Sequence, residues 1–348
     1  MSTHIIEIIE IKEIHQHPDP EVERLEVIPI AGWKTCVRKG EFKIGDKAIY
    51  IPPDYMVPVN LEYFSFLKDN NKDKTHVRIK AKKIRGIISY GLLIPCPQNL
   101  INKQVGYNAI DDLGIYRYEP PEEISTGGLF VSPPDLYAPV FDVENFQNYP
   151  DIFKDGETVY ISEKIHGTSA RFTYTKNKDG VYEQFCGSRR NWFDKNDNKN
   201  VYWKAFNQHP AIEHWCKTYP DHILYGEVFG PVQKLHYGAK GNEIFFAAFA
   251  VFYKDKFLNI SDSLDMVEEF LGPNDSNIDW CPPVYIGKFN KDKVISLASG
   301  NTLWRDTNFK TPDQIREGIV ILPLIERFDS QIGRVILKVI NPDYLIKS

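Results

Sequence analysis

The chain has 348 residues, of which 42% are hydrophobic and 13% aromatic, so it can build two compact domains and is not a disordered protein. No apolar run approaches the roughly 20 residues that a membrane helix needs, and Met1–His4 does not begin a signal peptide. We therefore expect an intracellular protein that is not secreted and has no membrane partner. The net charge of -5 excludes a surface coated in basic residues, so any contact with a polyanion must be local.

The first third of the chain predicts a small β domain. Short strand-like runs are separated by turn signals, without a long helix, which is typical of a small barrel. The predicted strands are His4–Ile14, Arg24–Ile30, Lys34–Arg38, Lys47–Ile51, His76–Ile84 and Ile87–Leu93.

A basic stretch lies within this domain, where Lys72–Arg85 holds seven Lys and Arg residues. Strand alternation would place Arg78, Lys80 and Lys82 on one face, opposite apolar residues. Such a stripe either protects an edge strand from aggregation or contacts nucleic-acid phosphates. Both interpretations remain open on the residues alone.

A connector precedes the second domain, because paired prolines and glycines follow one another closely at 120–134. From about residue 137, buried-type strands alternate with shorter helices, which predicts an α+β domain of about 200 residues. The predicted strands are Thr158–Ile161, Ala170–Tyr174, His222–Glu227, Ile244–Phe252, Gly318–Leu322 and Arg334–Ile340, and the predicted helices are Ala211–Lys217, Ser263–Leu271 and Lys291–Leu297. We place the boundaries at 1–110 for the first domain, 111–136 for a linker and 137–348 for the second.

The segment Glu163–Ser169 is the most informative part of the sequence. It sets Lys164 at the end of an apolar strand, before Gly167 and two hydroxyl residues. A lysine is protonated at neutral pH, so a nucleophilic lysine needs nearby positive charge or desolvation to lower its pKa. Alone, a lysine before a glycine turn is most often a solvated turn residue.

Five further segments follow Lys164 in a fixed order. They are Gly187–Arg189, Leu224–Gly230, Phe245–Phe249, Glu317–Ile321 and Val335–Lys338. The ordered set resembles the six collinear motifs of the lysine nucleotidyltransferase superfamily, which contains ATP-dependent DNA and RNA ligases and mRNA capping guanylyltransferases. The order of the motifs carries the resemblance more than any one residue does.

The resemblance implies a role for each charged residue of the motifs. Lys164 would attack the α-phosphate of ATP to form lysyl-AMP, with His166 and Gly167 beside it in the nucleotide site. Glu317 would hold Mg²⁺ or Mn²⁺, as a carboxylate suits a hard cation. That metal and Lys338 would lower the pKa of Lys164 and neutralise charge on the phosphate.

Three more residues receive roles from the resemblance. Glu227 would bind the ribose hydroxyls, Phe246 would stack on the adenine ring, and Arg189 would contact a phosphate of the nucleotide or of the 5′ end. Each also has an ordinary interpretation. Glu227 and Glu317 could be strand-end charges, Phe246 a core residue, and Arg189 a surface arginine.

Two details favour the RNA ligases among these enzymes. The segment Lys164–Thr168 reads Lys-x-His-Gly-Thr, and Gly226–Gly238 resembles the RNA ligase form of its motif. The segments His17–Val27 and Lys39–Asp46 resemble the N-terminal OB module of RNA ligase family five. Since the chain ends ten residues after Lys338, we expect no C-terminal OB domain.

The fold expected from this resemblance is an all-β OB-type barrel followed by an α+β nucleotidyltransferase domain with antiparallel sheets. The expected function is ATP-dependent sealing of 3′-hydroxyl/5′-phosphate nicks in duplex RNA, through lysyl-AMP and an adenylylated 5′ end, by an enzyme favoured to be a monomer. The alternatives are a DNA ligase, a capping guanylyltransferase, and a non-catalytic RNA-binding protein derived from a ligase. One departure is Ile336, which stands where RNA ligases commonly have a lysine, and Arg334 is a possible replacement.

Overall fold

The computed structural model describes residues 6–30, 33–68, 74–118, 129–197, 199–270, 278–306, 308 and 310–347. The chain divides into two compact units. The N-terminal unit is Thr3–Pro121 with Leu345–Ser348, and the C-terminal unit is Glu122–Tyr344 with Met1–Ser2. The predicted linker, 111–136, is split between them, and its residues 119–128 lie outside the described part of the chain.

The described residues of the N-terminal unit form short strands and a 3-10 helix. Its strands are β1 (Glu7–Glu10), β2 (His15–Gln16), β3 (Leu25–Ile30), β4 (Trp33–Arg38), β5 (Lys47–Ile51), β6 (Tyr55–Pro58), β7 (His76–Arg78), β8 (Lys82–Ile84), β9 (Ile87–Ser89), β10 (Leu92–Pro95) and β11 (Tyr116–Arg117). The 3-10 helix is Glu62–Leu67.

These strands pair antiparallel in small sheets with the orders β1-β5-β10, β2-β3-β4 and β11-β6-β7, and in the hairpin β8-β9. The described ladders do not close into one continuous barrel. The predicted strand His76–Ile84 is broken, because the chain leaves β6 after Ile79 and pairs with β9 from Lys82 onward. The core lies around β5, whose Ile49 and Ile51 are fully buried.

The described residues of the C-terminal unit form more strands, several helices and a 3-10 turn (Phe146–Asn148). Its strands are β12 (Glu144–Asn145), β13 (Thr158–Lys164), β14 (Thr168–Lys176), β15 (Tyr182–Ser188), β16 (Trp192–Phe193), β17 (His222–Phe229), β18 (Phe245–Tyr253), β19 (Lys256–Phe257), β20 (Asp279–Trp280), β21 (Pro283–Lys288), β22 (Gly318–Pro323), β23 (Phe328–Asp329), β24 (Gly333–Arg334) and β25 (Leu337–Ile340). Its helices are α1 (Val201–Gln208), α2 (Pro210–Thr218), α3 (Ile260–Glu268) and α4 (Lys291–Leu297). A further helix, α5 (Pro342–Lys347), begins in this unit and ends among the residues assigned to the N-terminal unit.

Two sheets organise this unit. One has the order β12-β25-β22-β13-β21, and the other has the order β16-β15-β14-β17-β18-β19 with β20 beside β18. The pairs β12/β25 and β18/β20 are parallel, and the other pairs in these two sheets are antiparallel. The predicted α+β class with mainly antiparallel sheets is confirmed.

Helix α1 was not predicted, although its start carries a recognisable signal. The Asn200 side chain accepts hydrogen bonds from the backbone N–H groups of Tyr202 and Trp203, which is a typical N-cap. Its bulky residues suit a strand in isolation, but in the fold they pack with α2 against the larger sheet. No described helix has the length and apolarity to cross a membrane.

Candidate active site

Lys164 is the last residue of β13 and lies opposite Gly318 of β22. Glu317 immediately precedes Gly318, and the Lys164 Nζ donates a hydrogen bond of 2.8 Å to Glu317 Oε1. A side chain at position 318 would place its Cβ 2.2 Å from the carbonyl oxygen of Val339. Glycine is therefore required there for the close approach of β25, and this packing fixes Glu317 beside the lysine.

We call Lys164, His166, Glu227 and Glu317 the lysine cluster. Burial acts to raise the pKa of Glu317, but Lys164 and His166 outweigh it and lower that pKa to about 2. Burial raises the pKa of Glu227 to about 8, against the opposing attraction of Lys164. The cluster thus contains one firmly ionised carboxylate and one carboxyl group that readily keeps its proton.

The pKa of Lys164 differs from the expectation for a nucleophile. Burial acts to lower it, but the attraction of Glu317 and of Glu227 wins and leaves the pKa above its ordinary value. The protein groups on their own therefore hold Lys164 as an ammonium ion, which cannot attack. Charge must be neutralised at Glu317 before this lysine becomes a nucleophile.

Glu317 can serve a divalent cation. Its Oε2 is buried and lies 3.3 Å from His166 Nδ1, yet it accepts no hydrogen bond of normal geometry from a described residue. Among the described residues, no group of three or more His, Cys, Asp and Glu side chains forms a metal cage. One carboxylate with a spare oxygen suits Mg²⁺ or Mn²⁺, hard cations that accept oxygen ligands, and Mg²⁺ in particular keeps several of its waters.

His166 is held by two tyrosines. Its backbone N–H donates to the Tyr237 Oη at 2.8 Å, and the Tyr344 Oη lies 3.3 Å from each ring nitrogen. Tyr237 is completely buried. The loop after Lys164 is thus fixed both at its backbone and at the imidazole.

Gly167 is required by packing. A Cβ at this position would lie 2.3 Å from the carbonyl oxygen of Val228 and 2.8 Å from the Cβ of Phe229. The next residue, Thr168, shares a 2.9 Å hydrogen bond between its hydroxyl and that of Tyr202 on α1. The loop therefore lies directly on β17, the strand that also carries Glu227.

Lys338 shares a sheet face with Lys164. Val320 of β22 pairs with Ser162 on one side and with Lys338 on the other. Paired residues project to the same face, and so do residues two apart in one strand, which places Lys164 and Lys338 together.

Ile336 does not replace the missing lysine, because it is buried in the core. Arg334 does not replace it either, since its guanidinium pairs with Glu326 and lies over the ring of Phe257. Among the two candidate positions, the last motif therefore contributes Lys338 alone.

Phe246 is a core residue in this structure and not an open platform. Its side chain is 0% exposed, it packs edge-on against Phe172, and its ring fills the space beside Gly226. A base cannot stack on a ring whose faces are covered. The prediction that Phe246 stacks on adenine finds no support in this arrangement, because both faces of β18 are buried and its ring is covered by the core.

Arg189 follows β15 and forms an ion pair with Asp142. The residue before it, Ser188, accepts a 2.7 Å hydrogen bond at its carbonyl oxygen from the side chain of Arg171, which is 2% exposed. The Arg171 guanidinium also stacks on the Trp192 ring. The described contacts join Arg189 to Asp142 and not to the lysine cluster.

The predicted basic stripe lies in the N-terminal unit. Arg78, Lys80 and Lys82 line one groove there. Arg78 donates hydrogen bonds to Asp54 and lies over the Tyr118 ring, so its charge is partly engaged within the unit.

Sequence reasoning missed Glu163 and Tyr237. The carboxylate of Glu163 is buried and accepts 2.6 Å hydrogen bonds from the Thr302 hydroxyl and the Leu303 backbone N–H. It thus ties the segment at 302–303 to the opposite face of β13. A glutamate adjoining the lysine was a signal for this contact, but its distant partners have no sequence signature.

Comparison with known proteins identifies the family. The family model for RNA ligase matches residues 157–340, which is more than half of the chain and includes each element of the lysine cluster. The chain belongs to the RNA ligase family. A second model, for an OB-fold domain, matches residues 5–96. The N-terminal unit is therefore an OB-fold domain, although its described ladders stay separate.

Solved structures of similar fold come from Naegleria gruberi. A mutant of its RNA ligase with ATP and Mn superposes with a TM-score of 0.78 and 24% identity, over 98% of each chain. Its RNA ligase with PPi gives a TM-score of 0.74 and 25% identity, over 98% of this chain and 97% of the other. A likeness at this identity shows the fold. A search of curated proteins found no match.

Proposed function

We propose that this chain is an ATP-dependent RNA ligase that seals nicks between a 3′-hydroxyl and a 5′-phosphate. The observation that carries the proposal is the 2.8 Å contact between Lys164 Nζ and Glu317 Oε1 within the matched region. A lysine beside a metal-competent carboxylate is the arrangement needed for nucleotidyl transfer to nitrogen. ATP is proposed as the nucleotide because the similar Naegleria gruberi enzyme was solved with ATP.

Three displacements at phosphorus would make up the reaction. The Lys164 Nζ loses a proton and attacks the α-phosphate of ATP, which forms a P–N bond and releases pyrophosphate. A 5′-phosphate oxygen then attacks the lysyl-AMP phosphorus, which frees the lysine and adenylylates the RNA end. Finally the 3′-hydroxyl attacks the 5′-phosphate, loses its proton and displaces AMP.

The chain's residues supply position and charge for these steps. Glu317 would hold Mg²⁺ or Mn²⁺ through its spare oxygen, and such a cation supplies positive charge at the phosphate and beside the lysine. Lys338 adds a cation on the same sheet face, and Glu227 offers a carboxyl group to the ribose hydroxyls. His166 supports Glu317 at that same spare oxygen, since its Nδ1 lies 3.3 Å from Oε2, whereas Lys164 contacts Oε1.

RNA is proposed to meet both units. The OB-fold unit would contact backbone phosphates through Arg78, Lys80 and Lys82, and Arg189 would meet the 5′-phosphate after releasing Asp142. Both contacts are electrostatic, so sealing should weaken steeply with salt. We further propose that the protein works inside the cell as a monomer.

Labelling with ATP carrying ³²P at the α-phosphate tests the chemistry. We expect an acid-labile adduct on the protein that is lost in Lys164→Ala and kept in Lys154→Ala, a surface lysine of the same unit. No adduct, or an adduct that survives Lys164→Ala, would refute the ligase mechanism. Stronger labelling by GTP than by ATP would indicate a guanylyltransferase instead.

Nicked duplexes with RNA or DNA on the 3′-hydroxyl side test the substrate. We expect sealing only where that strand ends in RNA, because the proposed substrate carries a 2′-hydroxyl that a protein can recognise. Equal sealing of an all-DNA nick would indicate a DNA ligase. A labelled protein that seals neither nick would contradict the proposed substrate while leaving the adenylylation chemistry intact.

A further inference from the structure

A groove of about 560 Å³ is lined by residues of the N-terminal unit, none of which belongs to the lysine cluster. Its volume falls within the range of protein sites that take a nucleotide-sized ligand. Apolar side chains contribute to its lining, among them Leu25, Val37 and Leu92. The groove belongs to the same unit that carries the basic stripe.

Two exposed aromatic rings border this groove. The 3-10 helix Glu62–Leu67 buries Phe64 completely in the core, which anchors the helix to the unit. Tyr63 and Phe66 also line the groove, and their side chains are 37% and 51% exposed. Residues three apart in a 3-10 helix lie one above the other, so the two rings share one face. Two aromatic rings exposed on one face offer flat surfaces on which a base can stack.

Positively charged side chains line the same groove as these rings. Arg38, Lys80 and Lys82 are exposed and line the same groove. Glu41 is the acidic residue in the lining, and its carboxylate accepts a 3.0 Å hydrogen bond from the backbone N–H of Arg38. Aromatic rings can stack on bases, and the neighbouring basic side chains can contact the phosphates that join those bases.

We infer that this groove binds an unpaired stretch of the RNA, with a base stacked on Phe66 or Tyr63 and the flanking phosphates on Lys82 and Arg38. Bases in a duplex already stack on their neighbours, so an aromatic side chain gains access only to unpaired bases. This inference rests on the proposed function in that RNA is the substrate. It deepens that proposal, because the preferred substrate would then contain unpaired nucleotides in addition to the nick in its duplex.

The test uses fluorescence anisotropy with the full-length protein and two labelled probes. One probe is a single-stranded RNA of about 12 nucleotides, within the range of OB-fold site sizes, and the other is the same strand in a blunt duplex. We compare wild type with Phe66→Leu, which keeps an apolar side chain but removes the stacking ring. The matched control is Tyr116→Leu, which removes an exposed ring of the same unit outside the groove.

Phe66→Leu should weaken single-strand binding about tenfold and duplex binding less than twofold, while Tyr116→Leu should change neither. An equal loss for both probes, or no loss for either, would overturn the inference. Phe66→Tyr guards against misfolding and should restore single-strand binding, and failure to restore it would also count against stacking. Labelling by ATP of wild type and the same variants separates the two proposals. If wild type forms no adduct at Lys164, the ligase chemistry is contradicted, but the proposal that the groove binds RNA is not.

Discussion

Glu227 lowers the free energy of unfolding of the ligand-free protein by an amount that depends on pH. Burial raises its pKa from an ordinary value of 4.5 to about 8. Between these two values the folded state binds a proton that the unfolded state has lost, so stability falls as pH rises. The shift of 3.5 units corresponds to about 5 kcal/mol at full effect. The cost is therefore small near pH 5, about 3 kcal/mol at pH 7, and complete above pH 8.

Glu227→Gln removes this titration while keeping the side chain's size and polarity. Relative to wild type, the variant should gain several kcal/mol in the free energy of unfolding between pH 5 and pH 9. Urea unfolding of nucleotide-free protein at pH 5, 7 and 9 measures the difference. Glu183→Gln, an exposed carboxylate on β15, is the control and should run parallel to wild type. If Glu227→Gln also ran parallel to wild type across this range, the assignment of a partly buried, proton-retaining carboxyl group would be refuted.

Other predictions concern the loop and the basic stripe. Tyr237→Phe leaves the backbone N–H of His166 without its acceptor, which should cost about 1–3 kcal/mol in urea unfolding and slow the formation of lysyl-AMP. Gly167→Ala forces a Cβ against the carbonyl oxygen of Val228, so it should abolish labelling by ATP and destabilise the fold by about 1–3 kcal/mol in the same unfolding assay. Lys82→Ala should reduce the slope of log affinity for single-stranded RNA against log salt by about 0.7, and an unchanged slope would show that this lysine meets no phosphate.

Much of the fold was predictable because strand periodicity is a local property. The strand Lys47–Ile51 and the helix Lys291–Leu297 were predicted with the bounds that the structure has. Helix α1 was missed because its aromatic residues favour strands locally, and only packing on the larger sheet makes them helical. The OB-fold class of the N-terminal unit was predicted correctly, but the pairing of its strands in separate small sheets was not, because pairing between distant short strands leaves no mark in the sequence.

Within the site, the sequence predicted which residues come together better than it predicted their protonation states and contacts. Lys164 and Glu317 lie together as the motif order implied. The contacts of Glu163 with the segment at 302–303 depend on long-range packing that no motif reports. Phe246 shows the converse case, since a motif match gave it a role, whereas in the structure both faces of β18 are buried and its ring is covered by the core.

The charge balance at Lys164 shows why reactivity here is conditional. Desolvation alone would favour a neutral amine, but the attraction of Glu317, with a smaller contribution from Glu227, reverses that effect. The same Glu317 that keeps the lysine protonated has a spare oxygen suited to a divalent cation. Neutralising Glu317 removes the largest attraction that holds the proton on Lys164 and leaves desolvation to act. A neutral Lys164 amine is therefore favoured only when positive charge, such as that of a divalent cation, is present at Glu317.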